Sequence, residues 1–124
     1  MEGYLIFSTA SDLLRVHHSS IVCITGDGNY SQLLLIGGEK RTLTIQLGQL
    51  EKLIYEQLGR HNRSFVRIGK SLIVNCNFIF YIHIARQQLV LVDSTNGRHI
   101  LQASKEALRQ LKTLIEHEPK GDKR

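Results

Sequence analysis

The stretch Phe65-Val66-Arg67-Ile68-Gly69-Lys70-Ser71-Leu72-Ile73-Val74-Asn75 interleaves hydrophobic anchors with basic and polar groups. Phe65, Ile68, Leu72 and Val74 are spaced to pin the segment against a core while Arg67, Lys70 and Ser71 face outward. A cation held in place loses less entropy on meeting an anion than one on a floppy tail, so the pattern suits recognition better than solubility alone. The surrounding charge is one-sided. No acidic residue lies between Glu56 and Asp93, an interval that holds Arg60, Arg63, Arg67, Lys70 and Arg86. Four of these five fall within 60–70, beside His61, Asn62, Ser64 and Ser71. Guanidinium forks suit phosphate oxygens and guanine edges, and Ser and Asn add neutral contacts. From these residues alone two readings stand: a solvated basic loop, or a nucleic-acid surface.

Outward from this segment, short apolar runs separated by turn signals dominate, which predicts strands. They are Tyr4–Ser8, Asp12–Val16, Ile21–Thr25, Tyr30–Ile36, Lys40–Thr44, Ile79–Ala85, Gln88–Val92 and His99–Leu101. Gly26-Asp27-Gly28-Asn29 predicts a tight loop, Gly37-Gly38 a hairpin, and Asn96-Gly97 a longer turn. The alternation Thr42-Leu43-Thr44-Ile45 predicts a strand with one solvated face. Two segments carry helical spacing instead. Leu47, Leu50, Leu53, Ile54 and Leu58 form one stripe, stopped by Gly59. Ala107, Leu108, Leu111, Leu114 and Ile115 form the other, with Ser104 as N-cap and Pro119 beyond its end. The organisation is strands, a helix, an irregular basic stretch, more strands and a terminal helix. One unit, residues 1–117, is expected, followed by a polar tail over 118–124.

The 124 residues are 42% apolar and 22% charged, enough to bury a core without metal or disulfides. The excess of 16 basic over 11 acidic residues gives a net charge of +5 and an electrostatic pull toward anionic partners. No apolar run is long enough to cross a bilayer, and Met1-Glu2-Gly3-Tyr4 lacks a signal peptide's charge and hydrophobicity, so a cytoplasmic location is expected. Cys23 and Cys76 fit buried thiols in a reducing compartment, a disulfide between them being the alternative. His17-His18 would point to opposite faces, and His61, His83 and His99 lack Cys or carboxylate at ligand spacing, so no metal or other cofactor is expected. No nucleophile elbow and no phosphate-binding GK[ST] motif occurs, which leaves catalysis without support. Tyr30 and Phe65 are expected as core or hinge aromatics rather than as base-stacking platforms, and Tyr81 could face outward at an interface.

The segment Phe65–Asn75 resembles the F-x-R-x-H/G-x-S-y-y-V-N signature of the LytTR-type DNA-binding domain of bacterial transcription regulators. Ile21-Val22-Cys23-Ile24 with Gly26-Asp27-Gly28-Asn29-Tyr30, then Thr42–Leu58, then Ala103-Ser104-Lys105 match further motifs of that family in order. The resemblance spans Tyr4 to Ile115. It implies a mainly β fold: small antiparallel sheets packed in an elongated LytTR-like β-sandwich with two short helices. It also implies sequence-specific binding of double-stranded DNA by loops between strands, which enter successive major grooves. The contacting loops would be Gly26–Ser31, Arg67–Ser71 and the one ending at Ser104-Lys105. By position, the DNA-binding residues would be Asn29, Ser31, Arg63, Arg67, Lys70, Ser71 and Lys105. Three positions depart from the family: Gly69 where many members have His, Glu106 where a second basic residue is frequent, and Thr25 where an acid is common. The family's usual receiver or membrane segment is missing from these residues, and Met1 with the polar tail favours a stand-alone regulator over a fragment. A homodimer on repeated DNA elements and a sensor kinase or other regulator are further partners to expect. The rival reading is a protein-interaction module of the same fold with weak or no DNA binding, its basic segment meeting an acidic protein surface.

Overall fold

The computed structural model describes residues 2–59 and 64–117. Among these residues the strands are β1 (Tyr4–Ser8), β2 (Leu13–His17), β3 (Ile21–Asp27), β4 (Tyr30–Leu35), β5 (Lys40–Leu43), β6 (Phe65–Ile68), β7 (Leu72–Asn75), β8 (Ile79–His83), β9 (Gln88–Val92) and β10 (Arg98–Gln102). The helices are α1 (Leu47–Leu58) and α2 (Lys105–Glu116). All strand pairs are antiparallel, forming a β1–β2 hairpin, a five-stranded sheet in the order β5-β4-β3-β7-β6 and a three-stranded sheet in the order β10-β9-β8. The fold is therefore mainly β with two helices, as the sequence predicts.

The five-stranded sheet is covered on both faces, and two cores result. Ile24, Leu33, Leu35, Leu43 and Ile73 meet the hairpin residues Leu5, Phe7 and Val16 and the α1 stripe Leu47, Leu50 and Ile54. On the opposite face Val22, Cys23, Ile68, Leu72 and Val74 meet Leu89 and Leu91 of β9 and Ala107, Leu108 and Leu111 of α2. A sheet buried on both sides needs continuous apolar strands, and the burial of Leu72 to Asn75 without a break shows it. In β3 the register slips between Ile21 and Cys23, a bulge that lets consecutive Val22 and Cys23 serve the same core.

Three local features depart from the sequence reading. The basic stretch is not irregular where it is described: residues 65–75 form the β6–β7 hairpin, with Phe65 opposite Asn75 and Ile68 opposite Leu72. β5 stops at Leu43 although the alternation runs on to Ile45, because the Ile45 carbonyl accepts the Ser31 hydroxyl and Gln46 already opens α1. β8 ends at His83, whose Nδ1 accepts the Arg86 N–H across a tight turn. The stop of α1 and the start of α2 follow expectation: Gly59 adopts φ +63° and donates its N–H to the Tyr55 carbonyl, and the Ser104 hydroxyl accepts the Ala107 N–H at 3.1 Å. Pro119 and the tail over 118–124 lie outside the described residues.

Candidate nucleic-acid interface

The antiparallel register brings three connections to one end of the central sheet. The pair Thr25–Leu72 sits at that end, so the β3–β4 turn and the β6–β7 turn leave the sheet side by side. A hydrogen bond from Gly26 N–H to the Ser71 carbonyl, 2.9 Å, ties them together. The start of α2 lies against the second turn: a Cβ built on Gly69 would stand 3.8 Å from the Ala107 Cβ. The described parts of the predicted contacting loops thus form one contiguous edge.

Each turn is shaped by its own chemistry. Gly28-Asn29 is a two-residue connection with positive φ only at Gly28, +62°, the pattern of a type II′ hairpin. The Asn29 carboxamide oxygen accepts from Gln46 Nε2 at 3.0 Å, which links this turn to the start of α1. In the three-residue β6–β7 connection Gly69 carries φ +61°, so glycine stands there for a backbone reason. Arg67 braces that connection from below. Its Nη2 donates to the Lys70 carbonyl at 2.7 Å and its Nη1 pairs with Glu51 Oε1 of α1 at 3.1 Å.

The predicted site residues therefore fall into distinct settings. Lys70, Ser71, Asn29 and Lys105 are exposed along the shared edge. Arg67 is half-buried and engaged by α1 and its own turn. Ser31 is 1% exposed, and its hydroxyl donates to the Ile45 carbonyl at 2.6 Å, so it holds the α1 approach rather than reaching the surface. Arg63 lies outside the described residues. Of the two aromatics expected in the core or at a hinge, Tyr30 is 54% exposed beside the β3–β4 turn and so lies outside the core, whereas Phe65 packs at the edge of the first core. The sequence reading missed Tyr30 as a surface group and Glu51 as the partner of Arg67. Position next to Asn29 could have pointed to Tyr30; nothing local points to Glu51, sixteen residues away. Glu106 sits one residue past Lys105 and comes no closer than 3.9 Å to Arg109, so this first turn of α2 carries both signs of charge.

Other titratable groups are structural. Burial pushes the Cys23 thiol up to about 12, slightly offset by the charge of Lys40. Neither cysteine forms a disulfide. Burial also acts to raise the Asp93 carboxyl, but donors from Thr95, His99 and Gly97 outweigh it and hold the group below the usual carboxylate range. Among the described residues no cluster of His, Cys, Asp and Glu is arranged to hold a metal, and no helix is long and apolar enough to cross a membrane.

No family model matches the sequence, and no curated protein matches it. A solved structure does: a LytTr DNA-binding domain from Bacillus cereus superposes with a TM-score of 0.59 at 18% identity, over 93% of this chain and 98% of that one. The likeness extends over nearly the full length of both chains, and this chain has the fold of a LytTr DNA-binding domain.

Proposed function

We propose that this chain binds double-stranded DNA in a sequence-specific manner, through the tips of the β3–β4 and β6–β7 turns and the start of α2, as part of a bacterial transcription regulator working in the cytoplasm. The single observation that supports this most is the convergence of exposed Lys70, Ser71, Asn29 and Lys105 on one edge of a sheet held rigid from both faces. Rigid tips gathered on one edge suit insertion into a major groove, where base edges carry a distinct donor and acceptor pattern. In this reading Lys70 and Asn29 reach base edges, Lys105 and Ser71 contact backbone phosphate, and Arg67 and Ser31 hold the tips in place. Arg63 belongs to the same basic surface by sequence. The activity is recognition and requires no catalytic group or cofactor. Two copies on repeated elements, or contact with a sensor kinase or another regulator, would supply regulation.

Selection of bound duplexes from a random pool tests the reading directly. A recurring short element is the expected result. Fluorescence anisotropy with that element should then show Lys70→Ala with Lys105→Ala losing about 2 kcal/mol or more of binding energy. If no element is enriched and the folded protein ignores duplex DNA even in dilute buffer, the rival reading as a protein-interaction module takes its place.

A further inference from the structure

We propose a second binding site, for a small organic carboxylate, in the cleft where the β10 edge stops short of the β4–β5 end of the central sheet. The three-stranded sheet and α2 cover only part of the central sheet's second face. Beyond β10 that face carries polar groups, and a cleft of about 310 Å³ opens between the two sheets. This lies at the small end of ligand sites and suits a single-ring molecule rather than a nucleotide.

The lining is divided by chemistry. Leu34, Ile100 and Leu101 supply an apolar wall, Thr25, Gln32 and Lys40 supply donors, and the His99 ring completes the lining. No carboxylate lines the cleft, so its electrostatic character is cationic. Lys40 has no acidic partner among the described residues; its neighbour Glu39 pairs with Arg41 at 2.5 Å. The Lys40 charge is felt inside the cleft, where it acts on the Cys23 thiol.

His99 is a built feature of this wall. Its side chain is 10% exposed, and Nε2 lies 2.7 Å from Asp93 Oδ2. Asp93 is itself buried and saturated: Oδ1 accepts from the Thr95 N–H, the Thr95 hydroxyl and the Gly97 N–H, and Oδ2 also accepts from the Gly37 N–H. An ionised Asp93 holds the proton on Nε2, which fixes the ring and leaves Nδ1 as its remaining polar atom. One mobile ammonium, two neutral donors and three aliphatic side chains match a single carboxylate on an apolar body. The lining holds no arginine fork of the kind that would favour phosphate. The Cys23 thiol is 1% exposed and stays protonated, so it offers the cleft no nucleophile.

The cleft also has a route to the proposed DNA edge. Thr25 pairs with Gln32 in the β3–β4 ladder, two rungs before the pair Asp27–Tyr30 that closes the Gly28-Asn29 turn. That consequence rests on the DNA-binding reading; the site itself does not.

The test is an amide-resolved NMR titration of the full chain with benzoate, with uncharged benzamide as the matched control and no DNA present. Benzoate should shift the amides of Thr25, Gln32, Lys40, Ile100 and Leu101 saturably. Benzamide should bind about tenfold more weakly, the worth of one charge-assisted hydrogen bond. Lys40→Met, an exposed edge-strand change compatible with folding, should weaken benzoate by a similar factor and leave benzamide unchanged. Equal binding of the two probes, saturable shifts confined elsewhere, no saturable shift at tens of millimolar, or an unaffected Lys40→Met variant each overturns the proposal. Failure to bind DNA would leave all four arms readable.

Discussion

Arg67→Met separates a brace from a contact. In the folded protein the Arg67 guanidinium joins Glu51 of α1 to the Lys70 carbonyl of the β6–β7 turn. The Glu51 pair is partly exposed, with side chains 30% and 50% accessible, so screening limits it to about 0.5 kcal/mol. The bond to the Lys70 carbonyl has an ionised donor and contributes about 1 kcal/mol net in this half-exposed position. Together the substitution should destabilise the fold by about 1.5 kcal/mol, a fall in Tm of about 5 °C for a chain of this size. A looser turn must be ordered again on binding, which should weaken DNA affinity about fivefold, or about 1 kcal/mol. The salt dependence distinguishes the roles. A lost phosphate contact lowers the slope of log affinity against log salt by about 0.9, whereas a lost brace leaves the number of contacts unchanged. Lys105→Met removes the same unit of charge at a position assigned to phosphate and is the matched control. Anisotropy titrations across a salt series should therefore give a wild-type slope for Arg67→Met and a shallower one for Lys105→Met. A slope for Arg67→Met reduced by a full unit, with unaltered stability, would refute the bracing argument.

Three further outcomes follow from the geometry. The Asp93 carboxyl lies below its ordinary value near 3.8, so its stabilisation is complete above that pH and is lost as pH falls toward the folded-state value. Denaturant midpoints measured from pH about 4 downward should decline more steeply for the wild type than for Asp93→Asn; parallel curves would remove Asp93 from the acid response. Ser104→Ala deletes the α2 cap and should cost about 1 kcal/mol by urea denaturation, and a change near zero would mean the cap is redundant. In a Cys76→Ser background, Cys23 should resist an aromatic disulfide reagent at mildly alkaline pH until the protein unfolds; rapid labelling of the native state would contradict its burial.

Amphipathic elements with ordinary boundaries were legible from their residues. The α1 stripe with Gly59, the Ser104 cap, the Tyr4–Ser8 strand and the Gln88–Val92 strand all stand where periodicity and turn chemistry put them. The β6–β7 hairpin was less visible, because a strand buried on both faces loses its alternation: Leu72, Ile73 and Val74 are apolar in succession, with no polar face to mark a period. Asn75 shows the complementary difficulty. It is fully buried, yet its amide donates to the Ile21 carbonyl and its oxygen accepts the Asn77 N–H, a satisfaction only the folded partners reveal. The basic side chains of the candidate interface were legible as a cluster, but their division was not. Arg67 and Lys70 look alike in the chain; one turns toward α1 and the other toward solvent because strand side chains alternate and the turn does not.

The tie between Gly26 and Ser71 leaves the backbone, rather than any side chain, joining the two turns. Substitutions at Asn29, Lys70 or Lys105 consequently leave that bond intact. A lineage carrying this scaffold can therefore drift from one target element to another by single replacements at its fingertips, with the interior bearing none of the cost of the change.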